Sequence, residues 1–227
     1  MKKKQVAVIG LGRLGDSVAT TLFDLGHDVL ALDIDEDAVQ NIASRVTHAV
    51  QADATNERTL RELGIGNFDI VIVTTPAVEN SLLATILLKK LGVSYIIARA
   101  DSELHGSILE KIGADKVIYP EREMGTMIAH VLNIAADAID FIPVAPGYGV
   151  VKMTAPPYFV GESFSALGFG PKGEWGVAVL LLERGKEVII APPDSEVVKV
   201  EDVLIVAGSD EKLEALLTQA QKARTKQ

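Results

Sequence analysis

The sequence predicts an α/β protein in two parts, a parallel sheet with helices on both faces followed by a small α+β domain. Three observations carry this reading. Short apolar runs alternate with helix-length amphipathic segments through the first half of the chain, the rhythm of parallel strands joined by crossover helices. The first run leads into AVIGLGRLG, where Gly10, Gly12 and Gly15 have the spacing of a dinucleotide fingerprint. Beyond Asp140 the alternation stops and short β runs follow one another. The 227-residue chain is long for one domain and comfortable for two, which the change of pattern divides into residues 1–140 and 141–227.

The elements follow in order. Residues 5–9 read as a buried strand, and residues 13–25 as a helix closed by Gly26 at its C-cap. Residues 28–32 form the second strand, with Asp33 at its carboxyl end and Asp35 as N-cap of a helix through Ser44. Strands follow at 46–51 and 69–73, then a helix at 79–91 ending at Gly92. A strand at 94–98, a helix at 102–112 ending at Gly113 and a strand at 116–119 complete the sheet. Residues 121–140 read as a long helix, stopped by Pro143, Pro146 and Gly147. Its apolar stripe of Met124, Ile128, Val131, Leu132, Ala135 and Ile139 is wide enough to pack partly on a second subunit; the alternative is the chain's own sheet. The second domain has β runs at 148–153, 177–182, 188–191 and 203–206, with a hairpin turn at Arg184-Gly185-Lys186. A short helix fits near 163–167 and a last one runs from 209 to about 223, leaving a frayed KARTKQ tail.

Composition narrows the function. Hydrophobic residues at 48% and charged residues at 23% suit a globular core, and a net charge of −9 argues against wrapping nucleic acid. With no cysteine, disulfides, iron–sulfur clusters and thiolate zinc sites are excluded, and the four histidines lack metal-ligand spacing. The start MKKKQVAVIG has a broken apolar run and no cleavage site, and the run 81–88 is too short to span a bilayer. The chain reads as soluble and cytoplasmic.

The candidate site is a nucleotide cleft. Gly10 permits a tight turn, Gly12 lets phosphate approach the backbone and Gly15 lets helix and sheet pack closely. Asp33 is placed to accept hydrogen bonds from ribose hydroxyls and to repel a 2′-phosphate, which disfavours NADP. Asp53-Ala54-Thr55 follows the third strand, where Asp53 could reach an adenine amine; alternatively Thr55 only caps the next helix. Thr74 and Thr75 end the fourth strand at the same edge, and Arg99 ends the fifth, as a phosphate ligand or a surface residue. Arg13 is the unusual member, because a helix N-terminus is already electropositive and an arginine there calls for an anion. With Leu11, Leu14 and Ile34, these residues complete the candidate cofactor-binding set.

Hydride transfer would also need a proton donor or acceptor, and no histidine sits at a strand end with a carboxylate partner. The string Y-x-x-x-K does occur at Tyr148–Lys152, but in a β segment, which sets the two Cα atoms roughly 13 Å apart. An NAD-dependent oxidoreductase with a small second domain is therefore the alternative reading, and a free-standing nucleotide scaffold a third.

The motifs GLGRLG, ALDID, THAVQADAT, LGIGNFDIVIVTT and EKIGADKVIYPEREMG closely resemble the RCK domain (regulator of potassium conductance). The resemblance is to the regulatory subunits of bacterial Trk/Ktr-type potassium uptake systems, strong through Ala129 and looser from Pro143 to Gly208. It implies a Rossmann-like domain with a crossing helix, followed by a C-terminal RCK subdomain. It implies a sensor and not an enzyme: homodimers that build a ring, commonly an octamer, on the cytoplasmic face of a membrane potassium-translocating subunit. ATP, ADP or NAD(H) in the clefts would then gate the pore. Arg13 matches an arginine that reaches a terminal phosphate, also across a dimer interface. Glu121 matches an acidic position associated with Mg2+ or Na+; a carboxylate favoured by the helix dipole is the other reading. Some relatives bind cyclic di-AMP between C-terminal lobes, but LGFGPKGEWGV lacks the expected arginine and Glu201-Asp202 replaces the usual Gly-Asp, which argues against that ligand here.

Overall fold

In a computed structural model describing residues 2–134, 138–170 and 173–224, β1 (Gln5–Ile9) is covered on both faces. Val6 and Val8 enter one apolar cluster, Ala7 and Ile9 another. That is the burial of a central strand in a parallel sheet, and it explains why QVAVI shows no polar alternation. β2 (Asp28–Asp33), β3 (His48–Gln51), β4 (Ile70–Val73), β5 (Ile96–Arg99) and β6 (Lys116–Ile118) complete a six-stranded sheet in the order β3-β2-β1-β4-β5-β6. Every strand pair in it is parallel. The crossovers carry α1 (Arg13–Asp24), α2 (Glu36–Ile42), α3 (Glu57–Glu62), α4 (Val78–Lys90) and α5 (Glu103–Ile112). The chain leaves β1 towards β2 and β3, then returns to the other side at β4. A crevice opens at the carboxyl ends of the strands where that direction reverses.

The chain divides into compact units Met1–Glu121 and Arg122–Gln227. α6 (Pro120–Ile134) begins at the end of the first and continues in the second. The helix expected to reach Asp140 ends at Ile134, and Ala138–Ala145 is a strand, β7. Pro143 is therefore inside a strand and does not terminate a helix. β7 lies at the edge of its sheet, where a missing N–H costs no ladder bond, and the register shifts beside it. Residues 135–137 lie outside the described residues, as do the side chains of Val131, Leu132, Ala135 and Ile139.

The second unit is an antiparallel sheet of β7, β8 (Tyr148–Thr154), β9 (Ala178–Arg184), β10 (Glu187–Ile190) and β11 (Val203–Ser209), in the order β10-β9-β11-β8-β7. Alternate residues Val151 and Met153, and Leu204 and Val206, face a core closed by Leu213, Leu216 and Leu217 of α7 (Asp210–Arg224). Phe169 meets Phe159 and Phe164 edge to face, with centroids 5.5 and 5.6 Å apart. Gly185 at φ +62° makes the expected β9–β10 hairpin. The helix expected at 163–167 is a run of turns: Ser163 bridges Val197, and Gly168 and Gly170 at φ +75° and +106° prevent a helix from propagating. Among the described residues no helix is long and apolar enough to cross a membrane.

Candidate functional site

The crevice is an open cleft of about 400 Å³ at the carboxyl ends of β1 to β4. Its walls come from the turns after those strands: Gly10, Leu11 and Gly12; Asp33, Ile34 and Asp35; Ala52 to Thr55; Thr75 and Pro76. Asn80 and Ala84, four residues apart on one face of α4, close the remaining side.

The three fingerprint glycines do different work. Gly10 has φ +93°, and a Cβ there would lie 2.7 Å from the Thr75 backbone nitrogen. A Cβ on Gly15 would overlap the Gly10 carbonyl oxygen. Both are required by the fold itself. Gly12 has an ordinary extended backbone, φ −64° and ψ −174°, and a Cβ on it would meet nothing within 4 Å. The protein does not need that glycine for its own packing; the space above it is open to a ligand.

Gly12 is also the N-cap of α1 and supplies no side-chain cap, so the first amides of that helix lack a side-chain acceptor. α4 opens beside the cleft in the same way from Ala77. α2, α3 and α5 are capped by Asp35, Asn56 and Ser102, whose oxygens accept from Asp37 N, Arg58 N and His105 N. Asp16, in the first turn of α1, is engaged by Arg45 at 2.6 and 3.1 Å.

Asp33 joins two walls. Its Oδ2 accepts from Leu11 N at 2.5 Å and its Oδ1 from Asp35 N at 3.0 Å, which fixes the carboxylate across the cleft mouth with lone pairs remaining on both oxygens. Asp53 Oδ1 accepts from the Thr55 hydroxyl and backbone N–H at 2.7 and 2.8 Å, and these bonds hold its pKa below the usual carboxylate value. Thr55 thus fastens Asp53, and Asn56 caps α3 in its place.

Other candidates lie outside the lining. Leu14 is half-buried in the first turn of α1, and Gly15, in the same turn, packs against the Gly10 carbonyl. Thr74 is buried, its hydroxyl donating to the carbonyls of Gly10 and Ile9 at 2.6 and 3.0 Å, so it positions the glycine turn from behind. Arg13 is exposed and makes no hydrogen bond or ion pair among the described residues. Arg99 Nη2 contacts both Asp101 and Glu121 at 2.9 Å and does not line the cleft. Glu121 caps its own helix turn through a backbone bond and faces Arg99, and both hold its pKa below the usual range. Among the described residues no three His, Asp or Glu side chains gather as a metal site. Tyr148 and Lys152 lie on β8, with Lys152 paired to Glu183 at 2.9 Å.

Among the described residues the cleft therefore carries three carboxylates, Asp33, Asp35 and Asp53, and no lysine, arginine or histidine in its walls. An anion here would be met by helix amides. Asn80, Ala38 and Ala84 had no motif to mark them; the signal available was helix register, which puts Asn80 and Ala84 together behind Thr75-Pro76.

Residues 6–120 match the TrkA-N domain, and residues 150–220 match the TrkA-C domain. The chain is 40% identical over 208 residues to the Ktr system potassium uptake protein C of Bacillus subtilis (strain 168), covering 91% of this chain and 93% of that one. The solved structure of the GsuK channel bound to NAD superposes with TM-score 0.57 at 25% identity, over 98% of this chain and 39% of that one. The structure of GsuK bound to ADP aligns with TM-score 0.51 at 29% identity, over 57% of this chain and 34% of that one.

Proposed function

The chain belongs to the family built from a TrkA-N and a TrkA-C domain, and from that premise we propose that it is the nucleotide-sensing regulatory subunit of a potassium uptake system. The reading is supported by 40% identity to a potassium uptake protein along nearly its whole length. It takes an adenine nucleotide, ATP or ADP or NAD(H), in the β1–β4 cleft, as the NAD- and ADP-bound relatives suggest. Its effect is exerted on a membrane potassium-translocating partner by a ring of homodimers, octameric in this proposal, lying on the cytoplasmic side. Mg2+ or Na+ near Glu121 belongs to the same proposal.

One observation carries the ligand assignment: Gly12 is open space over uncapped α1 amides, with Asp33 fixed opposite. Phosphates would lie against those amides, where the helix dipole favours negative charge. Ribose hydroxyls would donate to Asp33, and the base would lie among Ile34, Ala38 and Ala54 with Asp53 beside it. No tyrosine, lysine or histidine stands in the described lining to move a proton, which favours sensing over hydride chemistry.

The test is a thermal-shift and calorimetry panel of ATP, ADP, NAD+, NADH, NADPH and cyclic di-AMP. A ligand at a hundred times its dissociation constant adds about 2.7 kcal/mol to stability. Asp33→Ala should weaken the winning nucleotide by about 1.5–3 kcal/mol while the protein still melts cooperatively. Unchanged affinity would remove the cleft assignment.

A further inference from the structure

We propose that His105 is a proton-sensitive latch on the Arg99 cluster that holds the first turn of α6. Its Nδ1 accepts the Asp101 backbone N–H at 3.4 Å, Asp101 and Glu121 both grip Arg99 at 2.9 Å, and Glu121 stands in the first turn of α6.

His105 is 3% exposed. Because Nδ1 accepts, the single proton of the neutral ring resides on Nε2, and that atom is buried without a hydrogen-bond partner. Arg99 Nε is likewise buried and unpartnered, so among the described residues the cluster is held through the far end of the guanidinium. A proton added at Nδ1 points at the Asp101 N–H, and two donors cannot share that bond. The same proton makes a second cation beside Arg99, drawing the Asp101 carboxylate towards the ring. The Asp101 backbone must then turn its N–H away from the ring as its carboxylate turns towards it, which loosens the Asp101–Arg99 pair and leaves Arg99 to Glu121.

The surroundings set the direction. From the end of β5 the ring faces Arg99 and Asp101; after β6 comes Tyr119, whose hydroxyl lies against Gly106, and then Glu121. Its own helix carries Glu103 and the Ser102 cap, and places His105 in the first turn, where the dipole opposes a positive charge. α4 bears Glu79 in its first turn, while Lys89 and Lys90 in its last turn are paired to Asp115 and Glu57. Burial lowers the His105 pKa below the ordinary value; Asp101 opposes this and Arg99 adds to it. A lowered folded pKa means the unfolded chain takes the proton first. The contribution to stability is complete above about pH 6.5 and is lost as pH falls through the folded value.

The experiment compares the full chain with His105→Asn, without nucleotide. The Asn Oδ1 occupies the place of Nδ1, keeps an acceptor for the Asp101 N–H and does not titrate. Urea unfolding is measured from pH 8 to pH 5. Relative to the variant, the wild-type unfolding equilibrium constant should rise below about pH 6.5 by up to tenfold per pH unit. In parallel, NMR of the wild type should show the Nε2–H tautomer and an Arg99 Nε–H resonance that moves at the His105 midpoint. Parallel pH profiles of the two proteins, or an Arg99 signal indifferent to His105, would overturn the proposal. If the variant does not fold, the wild-type NMR decides it.

Discussion

At the scale of single residues, Gly12 and Arg13 show how one motif mixes requirements of the fold with those of a ligand. Gly15→Ala should destabilise the first unit by about 2–4 kcal/mol, because a backbone carbonyl occupies the space of the added methyl. Gly12→Ala meets open space and should melt within about 1 kcal/mol of wild type, the size of a helix-cap change, yet bind nucleotide more weakly. Differential melting curves with and without ATP separate the two; a Gly12→Ala protein with wild-type affinity would contradict the open-cradle reading. Arg13 has no partner to lose among the described residues and stands beside a cleft whose charged side chains, among those residues, are all carboxylates. Arg13→Ala should therefore cost ATP about 1.5–3 kcal/mol, roughly ten- to a hundredfold in affinity. NAD, whose pyrophosphate is internal and met by α1 amides, should lose less. Paired titrations test this, and equal losses would make Arg13 a general electrostatic residue.

At the scale of elements, an ion cluster around buried Asp202 ties together parts of the second unit. Asp202, fully buried before β11, accepts from Arg184 Nε and Nη2 at 2.9 and 2.8 Å and from Lys199 N at 2.8 Å. Arg184, on β9, also reaches Glu196 at 2.9 Å, so one guanidinium ties the hairpin to the loop before β11. Burial pushes the Asp202 pKa up, and Arg184 and the Lys199 amide outweigh it, leaving the folded value below the ordinary one. The unfolded chain thus binds the proton first, and this stabilisation is present above about pH 4 and lost as pH falls further. Asp202→Ala should cost about 3 kcal/mol at neutral pH and flatten that acid dependence, as chemical denaturation at pH 7 and pH 3 would reveal. The helix-to-strand change after α6 belongs to this scale too. A period of 3.6 and a proline suggested a helix up to its stop, but pairing with β8 turned residues 138–145 into a strand.

At the scale of the whole molecule, the exposed apolar residues suggest assembly. Met124 and Ile128 on α6 are 51% and 50% exposed, and Leu104 on α5 is 73% exposed. Light scattering at micromolar concentration should give a mass above the 24.2 kDa of one chain. A monomer under those conditions would exclude the ring in the proposed function. For gating, the effective nucleotide must favour one ring state, since equal affinity for both shifts nothing.

By itself the sequence determined the parallel sheet, its element order and the strand-end turns, as far as Thr75-Pro76, that wall the cleft. These are written in local patterns: buried apolar runs, glycine spacing, and an aspartate closing the second strand, each needing only its neighbours along the chain. Only the tertiary structure decided that Thr74 stands behind the glycine turn, that Asn80 lines the cleft and that Arg99 is engaged by Asp101 and Glu121. Those roles depend on which of several available partners lies within hydrogen-bond distance once strands distant in sequence are side by side, and no local pattern encodes that distance.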